Sequence, residues 1–120
     1  MINNRAKVER ERSIVSRFTT EDARETLYTC PNNCRARLVL LFVTNANGTT
    51  ILDIEWYRAS VDTHYHILGG KNLVTGEFIQ FSDSYLVLEP GDKLEITPSG
   101  ANNPDISAFC TVEETFVPVG

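Results

Sequence analysis

The sequence predicts an all-β chain: an antiparallel, jelly-roll-like β-sandwich of about eight short strands behind an N-terminal arm. Three observations predict it. From residue 13 onward, alternation of apolar and polar residues recurs every ten or so positions. Turn-forming residues separate those runs, and no stretch sustains the 3.6-residue period of an amphipathic helix. Short antiparallel strands of this kind bury their apolar faces by packing as two sheets. At 120 residues the chain matches one domain with one core. Residues 13–120 are assigned to the sandwich and residues 1–12 to a charged arm.

The elements follow in order. "SIVSRFT" is a first strand, "TEDARE" an acidic turn or a single helical turn, and "TLYTC" a short strand closed by "PNN", where Pro31 removes a ladder donor. "RARLVLLFVTN", residues 35–45, is apolar on both faces between Leu38 and Val43, the pattern of a central strand covered on both sides. Asn47-Gly48 then predicts a type I′ hairpin into "TILDIEWYR". That strand puts Leu52, Ile54 and Trp56 on one face and Asp53, Glu55 and Tyr57 on the other. "THYHILGG" is a strand stopped by Gly69-Gly70, "KNLVTG" a connection, and "GEFIQF" another strand.

"YLVLEPGDKLEI", residues 85–96, reads as a hairpin hinged on Pro90-Gly91-Asp92. Leu86 and Leu88 share one face of the first arm, and Leu94 and Ile96 share one face of the second, while Lys93, Glu95 and Thr97 point outward. Pro90 and Gly91 suit the two central positions of a type II turn. After the loop "SGANNPD", "ISAFCTVEETFVPV" closes the sheet with Ile106, Ala108, Cys110 and Val112 inward.

Charge and composition exclude several classes. The net charge is −5, but residues 1–17 carry +3, which leaves −8 on the remainder. Such a body lacks the clustered Lys and Arg of a nucleic-acid-binding face. No apolar run approaches the ~20 residues of a membrane-spanning helix, and "MINNRAKVERERS" has no apolar segment of a secretory signal. The expectation is a protein made and kept in a cytoplasm, with no nucleic-acid or membrane partner. The basic residues fit either a solvated terminus or an arm lying on a neighbouring acidic body, and in the second reading Arg5, Lys7, Arg10 and Arg12 are candidate interaction residues.

Reactive constellations are few. His64 and His66 lie two apart on one face of a strand, with Asp62 nearby, a spacing that fits either a shared metal or a solvated strand. Cys30, Cys34 and Cys110 make an odd count, and "CPNNC" is one residue wider than a redox pair, so reduced thiols are expected. Trp56, Tyr57, Tyr65 and Phe78 fit either stacking on a sugar or base or anchoring a core or interface. No nucleophile elbow, phosphate loop or dinucleotide fingerprint is present. The sequence therefore assigns no catalytic residue, cofactor or metal. Trp56, Tyr57, His64 and His66 join the arm residues as interaction candidates.

Three segments in order resemble small β-sandwich structural proteins of tailed bacteriophages. They are "TLYTCPNNCRARLVLLFVTN" with its following Asn-Gly turn, "YLVLEPGDKLEI", and "SAFCTVEE". The resemblance covers roughly residues 13–117; Cys30, Cys34 and the "HYH" strand depart from the usual pattern. It implies a non-enzymatic virion component assembled in the host cytoplasm: a capsid decoration or cement subunit, or else a head-tail connector or tail accessory. The implied partners are the major capsid protein or portal and tail proteins, with further copies of the chain as a homo-oligomer, for which a trimer is the expectation. A carbohydrate- or ligand-binding sandwich is the alternative from a different class.

Overall fold

A computed structural model describes residues 9–82 and 86–117. Among these described residues nine strands form the body: β1 (Arg10–Phe18), β2 (Glu25–Thr29), β3 (Cys34–Asn45), β4 (Thr50–Arg58), β5 (Thr63–Leu73), β6 (Phe78–Ser82), β7 (Val87–Leu88), β8 (Lys93–Ser99) and β9 (Ile106–Phe116). A single 3-10 turn, Ala59–Val61, links β4 to β5. All pairing is antiparallel. Sheet A runs β1-β9-β3-β6 with β7 also on β3, and sheet B runs β2-β8-β4-β5. The chain repeatedly crosses from one sheet to the other, the double-sheet wrapping of a jelly roll. Among the described residues no helix is long and apolar enough to cross a membrane.

The core lies between the sheets. The alternation expected of β4, β8 and β9 is observed: Leu52, Ile54, Leu94, Ile96, Ile106, Ala108, Cys110 and Val112 are all buried. Burial of this kind is the main drive to fold, each large side chain contributing about 1.5–3 kcal/mol.

Two turns read as hairpins are crossings between sheets. β3 pairs with β9, β6 and β7, whereas β4 pairs with β5 and β8, so Asn47-Gly48 joins strands that are not partners. Gly48 has φ +69, but Asn47 is not among the residues of positive φ, so the turn is not type I′. The loop is held instead by the buried Asn45. Its Nδ2 donates to the carbonyls of Gly48 (2.6 Å) and Leu73 (2.9 Å), and its Oδ1 accepts from the N–H of Asn47 (3.1 Å).

Pro90-Gly91 makes the expected local turn, with Gly91 at φ +85 and the Asp92 N–H donating to the Glu89 carbonyl at 2.9 Å. Its two arms nevertheless enter different sheets, β7 on β3 and β8 between β2 and β4. Asp92 holds the crossing together. Its buried carboxylate accepts from Trp56 Nε1 (3.1 Å), the Ala59 N–H (3.0 Å) and the Glu89 N–H (3.0 Å).

Three further expectations change. First, β3 is central but not covered on both sides. A bulge at Val39 shifts its register between Leu38 and Leu40, so even-numbered residues (Cys34, Ala36, Leu38) face the core before it and odd-numbered ones (Leu41, Val43, Asn45) after it. That parity change, with Leu40 and Phe42 left half-exposed outside, made the run read as apolar on both faces. Second, Gly69-Gly70 does not stop β5. The strand bulges there, with Leu52 opposite Lys71 and Ile54 opposite Leu68, and the Gly70 N–H donates to Asp53 Oδ1 at 2.6 Å. Third, β1 begins at Arg10, so Arg10 and Arg12 belong to a sheet; residues 1–8 of the arm, with Arg5 and Lys7, lie outside the described residues.

Candidate functional site

The outer face of sheet B gathers the polar side chains. Register places Glu55 directly opposite Glu95 on adjacent strands, and each is only 7% exposed. Like charges opposed in this way destabilise a sheet unless a cation lies between them. Arg24, from the turn after β1, supplies it: its Nε donates to Glu55 Oε1 at 3.0 Å and its NH1 lies 3.3 Å from His64 Nε2. A guanidinium has no acceptor, so His64 Nε2 must accept and Nδ1 carries the hydrogen, which it donates to Glu95 Oε1 at 2.7 Å. His64 thus bridges the cation to the second carboxylate.

Among the described residues, Glu55, His64 and Glu95 form the group that could hold a metal, with one ligand atom from each lying within 4.8 Å of the others. Two carboxylates and an imidazole suit a divalent ion. Arg24, however, contacts Glu55 and His64 and brings its own positive charge to that side of the cluster. The arrangement as it stands is a neutralising clamp between strands.

The expected residues fall in different places. His66 shares the outer face with His64 but is exposed, and its side chain has no hydrogen-bond partner among the described residues. Asp62 is no third ligand: it ends the 3-10 turn at φ +49 and accepts from Tyr57 Oη at 2.6 Å. That bond is the main cause of a Tyr57 pKa above its ordinary value. Tyr57 packs against His64 at a tilt of 42° with ring centroids 4.7 Å apart, and Lys93 Nζ lies 5.6 Å from its ring. Trp56 faces the opposite way, toward the core, where it donates to Asp92 and carries Arg58 over its ring at 5.5 Å. It is a partly buried anchor of the fold.

Arg10 and Arg12 turn inward at the end of sheet A. Both pair with Glu114, Arg12 NH1 at 3.1 Å, and Tyr28 Oη donates to the same carboxylate at 2.5 Å. Burial pushes the Glu114 pKa up, but Tyr28, Arg10 and Arg12 together outweigh it and hold the group below its ordinary value. Tyr28 stands on β2 and Glu114 on β9, so the cluster ties sheet B to sheet A.

Cys30, Cys34 and Cys110 are free and buried. Burial raises the Cys30 thiol to about 12 and the Cys110 thiol to about 11. Among the described residues no thiol or hydroxyl is hydrogen-bonded to an imidazole, the pairing that activates a nucleophile. A groove lined by Arg35, Arg37, Val87, Glu113 and Thr115 has both arginines neutralised, by Glu89 and Glu113.

Sequence reasoning passed over Glu55, Glu95 and Arg24. Their signal was present, since glutamates on two strands must be offset if those strands pair, but the pairing of β4 with β8 is not local and no spacing discloses it.

No known protein family matches the sequence, and no curated protein does. Solved structures do match the fold. The chain is similar to one in the T13 particle of infectious bursal disease virus (TM-score 0.60, 16% identity, 92% of this chain and 32% of that one). It is also similar to the VP2 subviral particle of the same virus (0.57, 18%, 97% and 35%). A chain of the Bacillus endospore appendages, a family of disulfide-linked pili, aligns over nearly its whole length (0.60, 15%, 98% and 96%). The chain spans about a third of the length of the viral chains. At these identities the likeness is one of fold.

Proposed function

We propose that the chain is a non-enzymatic structural subunit of a virion, and more narrowly a decoration or cement subunit on the capsid of a tailed phage. The observation that carries this reading is the jelly-roll wrapping shared with chains of viral particles and, over 98% of the chain, with a pilus chain. The described polar clusters are consistent with it, because each closes on itself as a strut of the fold. The reading needs a rigid body whose exposed surfaces meet other proteins, and two sheets joined through Glu114 and Asp92, with sheet B braced by the Glu55–Arg24–His64–Glu95 clamp, supply one. Arg5 and Lys7 are the arm residues left to reach a neighbouring subunit. A head-tail connector or tail accessory remains the alternative within the same structural class. The experiment is addition of purified protein to phage shells that lack it. Co-sedimentation with the shells and a higher shell dissociation temperature are expected; failure to bind shells, portals or tails overturns the reading.

A further inference from the structure

The two outer faces differ in character. Sheet B presents the charged cluster described above. Sheet A presents an apolar row: Val15 lies opposite Phe109, Phe109 opposite Phe42, and Phe78 on β6 stacks diagonally on Phe42. The Phe42 ring centroid is 5.1 Å from that of Phe109 and 5.1 Å from that of Phe78. Val15 is 72% exposed and Phe78 60%, and Leu40 extends the row on β3. Around it stand small polar groups, among them Ser13 and Thr111, which hydrogen-bond each other at 2.9 Å. An aromatic centre depleted of charge and ringed by polar residues is the anatomy of an interface.

We infer that a second copy of this chain covers this face, sheet on sheet. Charge selects that occupant. Although the chain carries −5, the arginines on this face are each matched to a carboxylate: Arg17 to Asp105, Arg37 to Glu113 and Arg35 to Glu89. Glu11, at the far end of β1, is the carboxylate on this face with no ion pair among the described residues, so the charge left over is small and lies at the rim; a strongly basic or acidic partner gains little there, and two identical faces repel little. Size agrees. With strands ~4.8 Å apart and a rise of ~3.3 Å per residue, four strands over nine residues of β1 make a face of roughly 600 Å², near the ~800 Å² that each partner gives a standard interface. A helix or single strand is too narrow to cover it; a sheet of equal width fits. An isologous contact closes at two copies, so this face makes a dimer in place of the expected trimer.

The inference rests on the structural-subunit reading only in expecting assembly, and its test is separate. Sedimentation velocity of the full chain at about 50 µM, where a Kd near 1 µM leaves mostly dimer, is expected to give twice the 13.5 kDa chain mass. Val15→Asp and Phe78→Asp, both at exposed positions, are expected to weaken the dimer at least tenfold while circular dichroism and melting temperature hold. Val61→Asp, on the turn between β4 and β5, leaves the dimer intact. A monomer at every concentration overturns the inference, as does a dimer indifferent to Val15→Asp and Phe78→Asp. A dimer that forms only after deletion of residues 1–8 also overturns it, since the chain's own arm is then the cover. A monomer that still binds shells ends the inference and leaves the structural reading standing; a dimer that binds none does the reverse.

Discussion

Glu114 and Asp92 illustrate what single residues do here. Both are buried carboxylates that accept several hydrogen bonds, and each joins segments far apart in sequence. Because the folded pKa of Glu114 lies below its unfolded value, its stabilising contribution is full above the unfolded value and is lost as pH falls through the folded one. Glu114→Gln is therefore expected to lower stability at pH 7 by about 1–3 kcal/mol, and to flatten the loss of stability in acid, as followed by urea denaturation from neutral to acidic pH. An unchanged acid slope would remove Glu114 from the account. Asp92→Ala, which strands Trp56 Nε1 and two backbone N–H groups, should cost about 2–4 kcal/mol in the same assay. The raised thiol pKa values of Cys30 and Cys110 predict no labelling by a disulfide reagent at pH 8 in the native protein and full labelling in denaturant; rapid native labelling contradicts that. The burial of Cys110 was legible from its place in the alternation of β9. The role of Glu114 was not, because its partners Arg10, Arg12 and Tyr28 lie about a hundred residues away in the chain.

At the scale of elements, the sequence carried local geometry and hid partnership. Turn chemistry at Pro90-Gly91-Asp92 correctly gave the bend, since only glycine accepts φ +85 readily. It did not say that the arms diverge, because strand pairing is decided by which apolar faces meet across the core. The bulge at Val39 shows the same limit: one inserted residue changes which parity is buried, and the sequence then reads as apolar on both sides. Glycines at turns give a test. A Cβ on Gly91 would lie 3.2 Å from the Ala59 Cβ, while one on Gly76, also at positive φ, meets nothing within 4 Å. Gly91→Ala should therefore cost more than Gly76→Ala, by about 1 kcal/mol beyond the backbone strain common to both; equal melting temperatures would argue against tight packing at the crossing.

Across the whole molecule, the class of fold was legible because alternation with period two persists from end to end, and two packed sheets are the way to bury it. The allocation of strands to sheets, and with it the apolar face of sheet A, was not. Val15, Phe42, Phe78 and Phe109 come from four strands and form one row only after β9 has inserted between β1 and β3. The central claim is that this body is a component of a particle, bound across its shell. It is tested most directly by the copy number of the chain in purified virions relative to the major capsid protein, measured by quantitative mass spectrometry. The account predicts comparable abundance. A count of about a dozen or fewer would contradict shell decoration and point to a neck or tail, and absence from the particles would contradict the claim as a whole.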